Sequence, residues 1–183
     1  MSPAPVLTAL ETARLRLRPQ QPEDAAVVHQ LWCERDARVP AHRRIDATGR
    51  PNVDDIAAHI REHRDDPTMQ LLTVCQQGSG DVIGYCGLLL TEHGGDGEPE
   101  LAFELLRAVH NRGYATEAGR AVTEWTDAVG HHRLWASVWD WNLASRRVLE
   151  KLGFRDSGRP YLQTRHGRTL LTVREHVRSG RLG

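Results

Sequence analysis

The segment DVIGYCGLLL, residues 81–90, constrains the fold most because it carries apolar side chains on both of its alternating faces. A strand with one face in water alternates apolar and polar residues, whereas a strand covered on both faces is apolar almost throughout. The segment therefore predicts a central strand, 81–91, in a sheet that is covered on both faces.

The remaining hydrophobic periodicity adds further strands and helices. Strand patterns occupy 14–18, 70–76, 81–91, 100–106, 133–139, 154–161 and 168–177. Helices are predicted to begin at Pro22, after the N-cap Asn52, after Gly113 and after the N-cap Asn142. The resulting order is β–α–α–β–β–β–α–β–α–β–β, which contains seven strands.

The length of the chain and its end segments predict one domain. A chain of 183 residues suits a single hydrophobic core. We expect a flexible N-terminal arm at 1–10, the domain at 11–178 and a C-terminal tail at 179–183. There is no signal-peptide pattern and no apolar run near the ~20 residues that span a bilayer, so we expect a cytoplasmic protein.

Composition limits the classes of ligand. The 24 basic and 24 acidic residues cancel, so no overall charge favours nucleic acid or an anionic membrane, and an anion site must be local. The three cysteines lack the spacing of a metal site or a disulfide framework. His59 and His63 are four residues apart on a predicted helix, but no third ligand is evident, and no metal site is predicted.

The stretch HNRGYATEAG, residues 110–119, joins a predicted strand to a predicted helix through a glycine. The glycine lets the backbone approach a ligand, and the helix start presents unpaired N–H groups and about half a positive charge. The stretch lacks the Lys-Ser/Thr of a P-loop and the three glycines of the dinucleotide fingerprint. By itself it leaves two interpretations open, an anion cradle and an ordinary strand-to-helix turn.

Three further segments extend the pattern into a family resemblance. HNRGYATEA resembles the acetyl-coenzyme A signature of GNAT-type acyltransferases, Gln/Arg-x-x-Gly-x-Gly/Ala, with Gly113 and Ala115 matching and His110 in the Gln/Arg place. GEPELAFELL is similar to the family's fourth strand, and WNLASRRVLEKLGF to its Asn-x-x-Ser helix. The opening LETARLRLRPQQPEDA resembles the branch of ribosomal-protein N-terminal alanine acetyltransferases. The resemblance implies an α/β GNAT fold, a mixed, mostly antiparallel central sheet of about seven strands with helices on both faces. It also implies direct acetyl transfer from acetyl-CoA to a primary amine.

The resemblance also implies which residues bind acetyl-CoA. Backbone N–H groups would hold the pyrophosphate, and the edge of the fourth strand would pair with pantetheine where that strand splays from the fifth. The implied pyrophosphate residues are Asn111, Arg112, Gly113, Tyr114, Ala115 and Thr116. The implied pantetheine residues are Leu105, Leu106, Arg107, Asn142 and Ser145.

Two residues are candidates for the proton transfers. Ser145 is implied near the sulfur as the proton donor to the departing thiolate, with a second helix cap as the alternative. Glu104 shares a strand face with Ala102 and Leu106, and a carboxylate among apolar residues needs partners or has a raised pKa, as suits a general base. A solvated or salt-bridged side chain is the alternative for Glu104.

These patterns together predict an acetyl-CoA-dependent N-acetyltransferase. The expected acceptor is a protein or peptide N-terminus or a small-molecule amine. The polar loop 35–52 and Trp141 are candidates for the acceptor site, with a solvated loop and core packing as the alternatives. The alternative is a non-catalytic module that senses CoA or acyl-CoA. The resemblance permits a monomer or a homodimer.

Overall fold

Residues 5–91, 98–159 and 162–176 are described by a computed structural model. The strands in these ranges are β1 (Leu10–Glu11), β2 (Leu15–Pro19), β3 (Met69–Gln76), β4 (Val82–Leu90), β5 (Pro99–Leu105), β6 (Arg133–Trp139), β7 (Arg155–Asp156), β8 (Gln163–Thr164) and β9 (Gly167–Glu175). The helices are α1 (Ala25–Glu34), α2 (Val53–Glu62), α3 (Tyr114–Ala128) and α4 (Leu143–Lys151). The strand order is β1-β2-β3-β4-β5-β6-β9-β7, with β8 paired to β9. Among these strands only β5 and β6 pair in parallel, which confirms the mixed, mostly antiparallel sheet.

The described ranges contain nine strands because β1 and β8 are two-residue strands that the hydrophobic periodicity does not reveal. The predicted strand 154–161 is reduced to Arg155–Asp156. The Asp156 carboxylate accepts a hydrogen bond from the Gly158 N–H at 2.9 Å, and Gly158 has φ +69°, so the chain turns away from the sheet. Residues 160, 161 and 177 of the last two predicted strands lie outside the described residues.

Strand β3 shows that the sheet is covered on both faces. Leu72 and Val74 lie in the main core, which includes residues of α3 and α4. Thr73, between them, points to the opposite face, where its hydroxyl donates to Asp24 Oδ2 at 2.6 Å, just before α1. The central strand β4 contacts both α1 and α3. Helices therefore pack on both faces, as the apolar segment 81–90 predicts.

The helices begin at the predicted caps. The Asn52 side chain accepts from the Asp55 N–H at the start of α2, and the Asn142 side chain accepts from the Ser145 N–H at the start of α4. The helix predicted at Pro22 starts with a 3-10 turn, Pro22–Asp24, and continues as α1. The longest described helix, α3, has 15 residues, and none of the described helices is long and apolar enough to cross a membrane.

The expected N-terminal arm packs against the sheet where it is described. Leu7 is 3 % exposed and lies in the main core, and Leu10–Glu11 forms β1 against β2. Residues 5–10 thus differ from the expected loose arm because the buried Leu7 side chain and the β1 pairing hold them. Residues 1–4 and the predicted tail 179–183 lie outside the described residues.

Strands β5 and β6 separate after a single shared register position, Glu100 opposite Trp135. On its other side β5 pairs with β4 as far as Leu105, and β6 pairs with β9 as far as Trp139. The carboxyl ends of the two parallel strands therefore diverge and lead into the starts of α3 and α4. The sheet opens there into a V-shaped gap, the place expected for a cofactor.

Candidate active site

A cleft of about 1480 Å³ occupies the gap between β5 and β6. Its walls are β5 with the turn into α3, the end of β6 with the first turns of α4, and the loop after α1. Ten of the predicted site residues line it: Glu104, Leu105, Arg107, Asn111, Gly113, Tyr114, Ala115, Thr116, Asn142 and Ser145. The side chains of Leu106 and Arg112 are not among the lining groups.

The turn into α3 presents a row of unpaired backbone donors. The N–H groups of residues 111–116 have no acceptor within the described part of the chain, and the first bonded amide of α3 is that of Glu117, which donates to the Gly113 carbonyl at 3.0 Å. Asn111 and Gly113 have φ values of +60° and +82°, in the left-handed region. Alternation of left- and right-handed residues turns successive N–H groups into a concave nest that binds anions. The positive end of the α3 dipole adds to it.

Arg14 and Glu117 brace this cradle from the turn between β1 and β2. Glu117 accepts hydrogen bonds from Arg14 Nε at 2.7 Å and from the Thr12 hydroxyl at 2.6 Å. Arg14 Nη1 donates to the Arg112 carbonyl at 3.0 Å, and its guanidinium lies 4.5 Å from the centre of the Tyr114 ring. Burial would raise the pKa of Glu117, but the bonds from Thr12 and Arg14 hold it below its ordinary value. Sequence patterns did not select Arg14 or Glu117. The signal that could have found them is the acidic Glu117 in the first turn of α3.

At the strand edge expected to pair with pantetheine, only some of the backbone N–H and C=O groups are directed toward the cleft. The Leu106 N–H donates to a β4 carbonyl at 2.9 Å, and the Leu106 carbonyl accepts from a turn amide at 3.0 Å, so neither group is available to the cleft. Leu105, the last residue of β5, faces the other way because strand backbones alternate, whereas Arg107 begins a 3-10 turn and its carbonyl accepts from the His110 N–H at 3.1 Å. The Leu105 carbonyl accepts from His110 Nε2 at 2.8 Å, and the Arg107 N–H donates to Glu34 Oε2 at 2.8 Å. His110, in the place where the resemblance expects Gln or Arg, thus supports the strand edge.

Asn142 and Ser145 lie together across the cleft from that edge. Asn142 Oδ1 accepts the backbone N–H of Ser145 at 3.2 Å, which is the helix cap itself. The Ser145 hydroxyl has no hydrogen-bond partner among the residues that the structure describes, and the residue lines the cleft. Because the cap uses the Ser145 backbone, its hydroxyl is free for another role.

The Glu104 carboxylate has side-chain partners in the structure, which the sequence alone could not identify. Arg35 Nε donates to Glu104 Oε1 at 2.9 Å and Arg35 Nη2 to Oε2 at 2.6 Å, while the Tyr85 hydroxyl donates to Oε2 at 2.9 Å. Burial alone would lower the pKa of Arg35, but Glu104 raises it above its ordinary value. Burial and the Glu104 charge both raise the pKa of Tyr85, so its hydroxyl stays protonated. This arrangement corresponds to the salt-bridged alternative, and the general-base role of Glu104 stays a prediction.

Glu100 is a second carboxylate on the same strand face, which sequence patterns did not select. It is 6 % exposed and lines the cleft at the point where β5 and β6 part. Its Oε1 accepts from the Ser137 N–H at 3.0 Å and from the Ser137 hydroxyl, and its Oε2 accepts from the Thr91 hydroxyl at 3.0 Å. Within the described residues no Arg, Lys or His contacts it. The alternation that singled out Glu104 also places Glu100 on that face.

The mouth of the cleft is closed on one side by stacked aromatic and arginine side chains. The Trp139 and Trp141 rings stack with centres 6.0 Å apart, and the Arg38 guanidinium lies 4.1 Å from the centre of the Trp141 ring. Trp141 Nε1 donates to the His166 carbonyl at 3.0 Å, and Arg38 pairs with Asp36 at 2.9 Å. Trp141 therefore both packs and lines the cleft, and it joins the loop after α1 to the start of α4.

The histidine pair on α2 has a third donor in the structure. Donor atoms of His59, Glu62 and His63 all lie within 4.8 Å of one another. Burial and the neighbouring His63 lower the pKa of His59. None of the three residues lines the cleft, so the chemistry of the cleft does not involve them.

The cleft fits acetyl-CoA in shape and in donor chemistry. A nest at a helix start suits a pyrophosphate, and the backbone of Leu105 at the strand edge suits the amides of pantetheine. Pockets for drug-sized ligands measure about 300–1,000 Å³. At about 1480 Å³ the cleft has room for an extended cofactor and for an acceptor beside it.

Comparisons with known proteins agree with this geometry. The family model described as an acetyltransferase (GNAT) domain matches residues 14–155. The uncharacterized N-acetyltransferase p20 of Bacillus licheniformis is 26% identical over 154 residues, which cover 83% of this chain and 85% of that protein. A GNAT-family acetyltransferase structure from Bacillus anthracis has a TM-score of 0.74 at 18% identity, covering 92% of this chain and 98% of that one. A ribosomal-protein-S5-alanine acetyltransferase from Vibrio fischeri has a TM-score of 0.65 at 16% identity, covering 92% and 96%. The chain belongs to the GNAT acetyltransferase family, whose co-substrate is acetyl-CoA.

Proposed function

We propose that this protein is an N-acetyltransferase that moves the acetyl group of acetyl-CoA to a primary amine. The observation that carries the proposal is the row of unpaired N–H groups at residues 111–116, which opens on the same cleft as the strand edge at Leu105. When bound, acetyl-CoA supplies an acyl group already activated as a thioester. The chain's own residues then have to hold that group, receive the amine and move protons.

The backbone supplies most of the holding groups. The N–H groups of 111–116 bind the pyrophosphate, with Arg14 beside them, and the backbone of Leu105 and Arg107 pairs with pantetheine across from Asn142. The Arg107 N–H donates to Glu34 in this structure, so an incoming amide carbonyl replaces the Glu34 carboxylate there. A backbone site of this kind tolerates side-chain changes such as His110.

The acceptor that fits the mouth is a peptide or protein N-terminus, with a small-molecule amine as the alternative. Leu143 and Leu162 line the cleft and are 55% and 65% exposed. Apolar side chains at an open rim suit the residues that follow the amine in a peptide. A small-molecule amine that extends only one or two bonds beyond its nitrogen would not reach these side chains.

Ser145 is the proposed proton donor to the departing thiolate, because the residue lines the cleft while its backbone N–H takes part in the cap of α4. Glu104 was predicted as the general base, but both of its oxygens are held by Arg35. Turnover of the Glu104→Gln variant decides its role.

Calorimetric titration of the full chain with acetyl-CoA, followed by thiol-release assays, tests the proposed function. The acceptor panel contains peptides with different first residues, the same peptides with acetylated N-termini, and small alkylamines. Binding with turnover on the free peptides alone supports a peptide N-terminus. Binding without turnover on any amine indicates a CoA-sensing module instead. Failure to bind acetyl-CoA refutes both functions.

A further inference from the structure

We propose that His59, Glu62 and His63, at the end of α2, form a binding site for a divalent transition-metal ion, for which Zn²⁺ is the best match. The site lies outside the cleft and does not depend on the acetyltransferase function. The sequence shows the histidine pair without a third ligand, and the fold of α2 adds Glu62. Among the residues that the structure describes, this is the one group of three His, Cys, Asp or Glu side chains whose donor atoms converge.

The helix brings the three donors to one side. Positions i, i+3 and i+4 of a helix lie on the same face, and His59, Glu62 and His63 occupy them in the sequence HIREH. The two imidazole rings have centres 4.1 Å apart, and one donor atom from each residue lies within 4.8 Å of the other two. The order His-x-x-Glu-His also occurs in a class of zinc enzymes. The three side chains are therefore arranged as ligands of a single ion.

The distances are within reach of a tetrahedral ion. Bonds of about 2.0–2.2 Å to Zn²⁺ place tetrahedral ligand atoms about 3.3–3.6 Å apart. Donors that already lie within 4.8 Å of one another have to close by at most about 1.5 Å. His59 and Glu62 are exposed and His63 is half-buried, and exposed side chains change rotamer readily. Side-chain rotation alone can complete the site, so the backbone of α2 need not move.

A hydrogen bond holds one histidine in the tautomer that a metal ligand needs. His63 Nδ1 lies 3.0 Å from the His59 carbonyl oxygen. Because a carbonyl can only accept, the bond assigns the proton to Nδ1 and leaves the lone pair on Nε2. Metal-bound histidines commonly donate their other ring N–H to a backbone carbonyl in this way. The supporting bond of a metal site is thus already present.

Charge and donor type select the ion. Two neutral imidazoles and one carboxylate carry a single negative charge, and the group occupies the last turn and the C-cap of α2, where the helix dipole adds about half a negative charge. Arg61 is two positions from His59, which places it away from the ligand face. Imidazole nitrogens favour Zn²⁺ over Mg²⁺ and Ca²⁺, which prefer oxygen ligands. Three protein ligands leave the fourth tetrahedral position to water.

Calorimetric titration of the full chain with zinc chloride tests the site. We expect a single Zn²⁺ per chain and no comparable binding of magnesium chloride. Loss of an outer-shell partner costs a metal site about 10- to 100-fold in affinity, so His59→Gln, Glu62→Gln and His63→Gln should each lose at least about 10-fold. His132→Gln is the matched control, because His132 is exposed and lies outside α2, and it should keep the wild-type affinity.

A second pair of donors requires its own control. Cys33 Sγ lies 3.7 Å from His29 Nδ1, on α1, and a thiolate with an imidazole also suits Zn²⁺. Cys33→Ser should therefore bind Zn²⁺ as the wild type does. Loss of the binding in Cys33→Ser would overturn the proposal, and so would equal affinity in the wild type and in His63→Gln.

Thermal unfolding provides a second measurement. Zn²⁺ at about 100 times its Kd should raise the unfolding midpoint of the wild type and of Cys33→Ser by about 5 °C, and that of His63→Gln by much less. With a chelator present all three proteins should unfold at the same temperature, which separates loss of a ligand from loss of the fold. An equal rise in His63→Gln would refute the site. Both measurements are made without acetyl-CoA, so their failure is distinct from a failure of the proposed acetyltransferase function.

Discussion

The Arg35 guanidinium binds both oxygens of Glu104, at 2.9 and 2.6 Å, and joins the end of α1 to the end of β5. Arg35 is 9 % exposed, so removal of Glu104 leaves a buried positive charge. We expect Glu104→Gln to lower the free energy of unfolding by about 3 kcal/mol. Urea denaturation measures it, with Tyr85→Phe as the comparison that removes a neutral donor to the same carboxylate, costs about 1.5 kcal/mol and leaves the ion pair in place.

The double variant Arg35→Met, Glu104→Gln separates the stabilising role of the Arg35–Glu104 ion pair from a catalytic role of Glu104. It should be more stable than the sum of the single changes predicts, because no unpaired charge remains. If Glu104 is the general base, the double variant stays slow, most visibly at low pH, with acetyl-CoA affinity unchanged. If the pair only positions the loop, turnover recovers together with stability.

The second prediction concerns Gly113 at the start of α3. Gly113 has φ +82°, and a Cβ added there would lie 3.4 Å from Arg14 Nη2, in the guanidinium that braces the cradle. We expect this variant to lose acetyl-CoA binding by at least about 100-fold, since the close backbone approach that a glycine allows is lost. Calorimetric titration measures the loss.

Gly78→Val is the matched control, because Gly78 has φ +93°, no neighbour within 4 Å of an added side-chain carbon, and no place in the cleft. Both variants pay about 1–2 kcal/mol for a left-handed backbone. Only Gly113→Val should weaken binding. Equal affinity in the two variants would show that the nest at 111–116 does not hold the cofactor.

Ser145→Ala tests the proposed proton donor. The helix cap uses the Ser145 backbone N–H and Asn142 Oδ1, so the variant keeps the cap of α4. We expect kcat to fall by about 100-fold, as for loss of a general acid, with KM for acetyl-CoA and thermal stability unchanged. Asn142→Ala is the comparison, since it loses the cap and about 1 kcal/mol of stability. Full kcat in Ser145→Ala would assign the proton transfer to water.

Asp24 should make stability depend on acid pH. Asp24 is 3 % exposed, and although burial would raise its pKa, hydrogen bonds from Arg18, Thr73 and Gln21 hold the pKa below the ordinary 3.8. Because the folded pKa lies below the unfolded one, Asp24 stabilises the fold fully above about pH 4 and loses this effect as the pH falls through the folded value.

We expect Asp24→Asn to lower the free energy of unfolding at neutral pH by about 3 kcal/mol and to flatten its decline below pH 4. Urea denaturation over a pH series measures both effects. Asp65→Asn, at an exposed position, removes the same charge and should change stability by no more than about 0.5 kcal/mol. If the free energies of unfolding of the wild type and of Asp24→Asn declined in parallel below pH 4, the prediction would be contradicted.

Local patterns were sufficient for much of the fold. The apolar segment 81–90 became the central strand, Asn52 and Asn142 cap α2 and α4, and Gly113 starts α3. These features depend on residues close in sequence, so periodicity and capping chemistry report them. The strand predicted at 154–161 was mostly wrong because an Asp156–Gly158 turn ends β7.

The sequence by itself determined the family, the glycine turn at the start of α3 and the identity of the strand that carries Glu100 and Glu104. Only the tertiary structure decided which of those carboxylates is paired. Glu104 meets Arg35 across 69 positions of the chain, Glu100 meets Ser137 across 37, and Arg14 meets Glu117 across 103. The charge state and availability of a side chain depend on partners that folding brings from distant segments, and no local pattern encodes that choice.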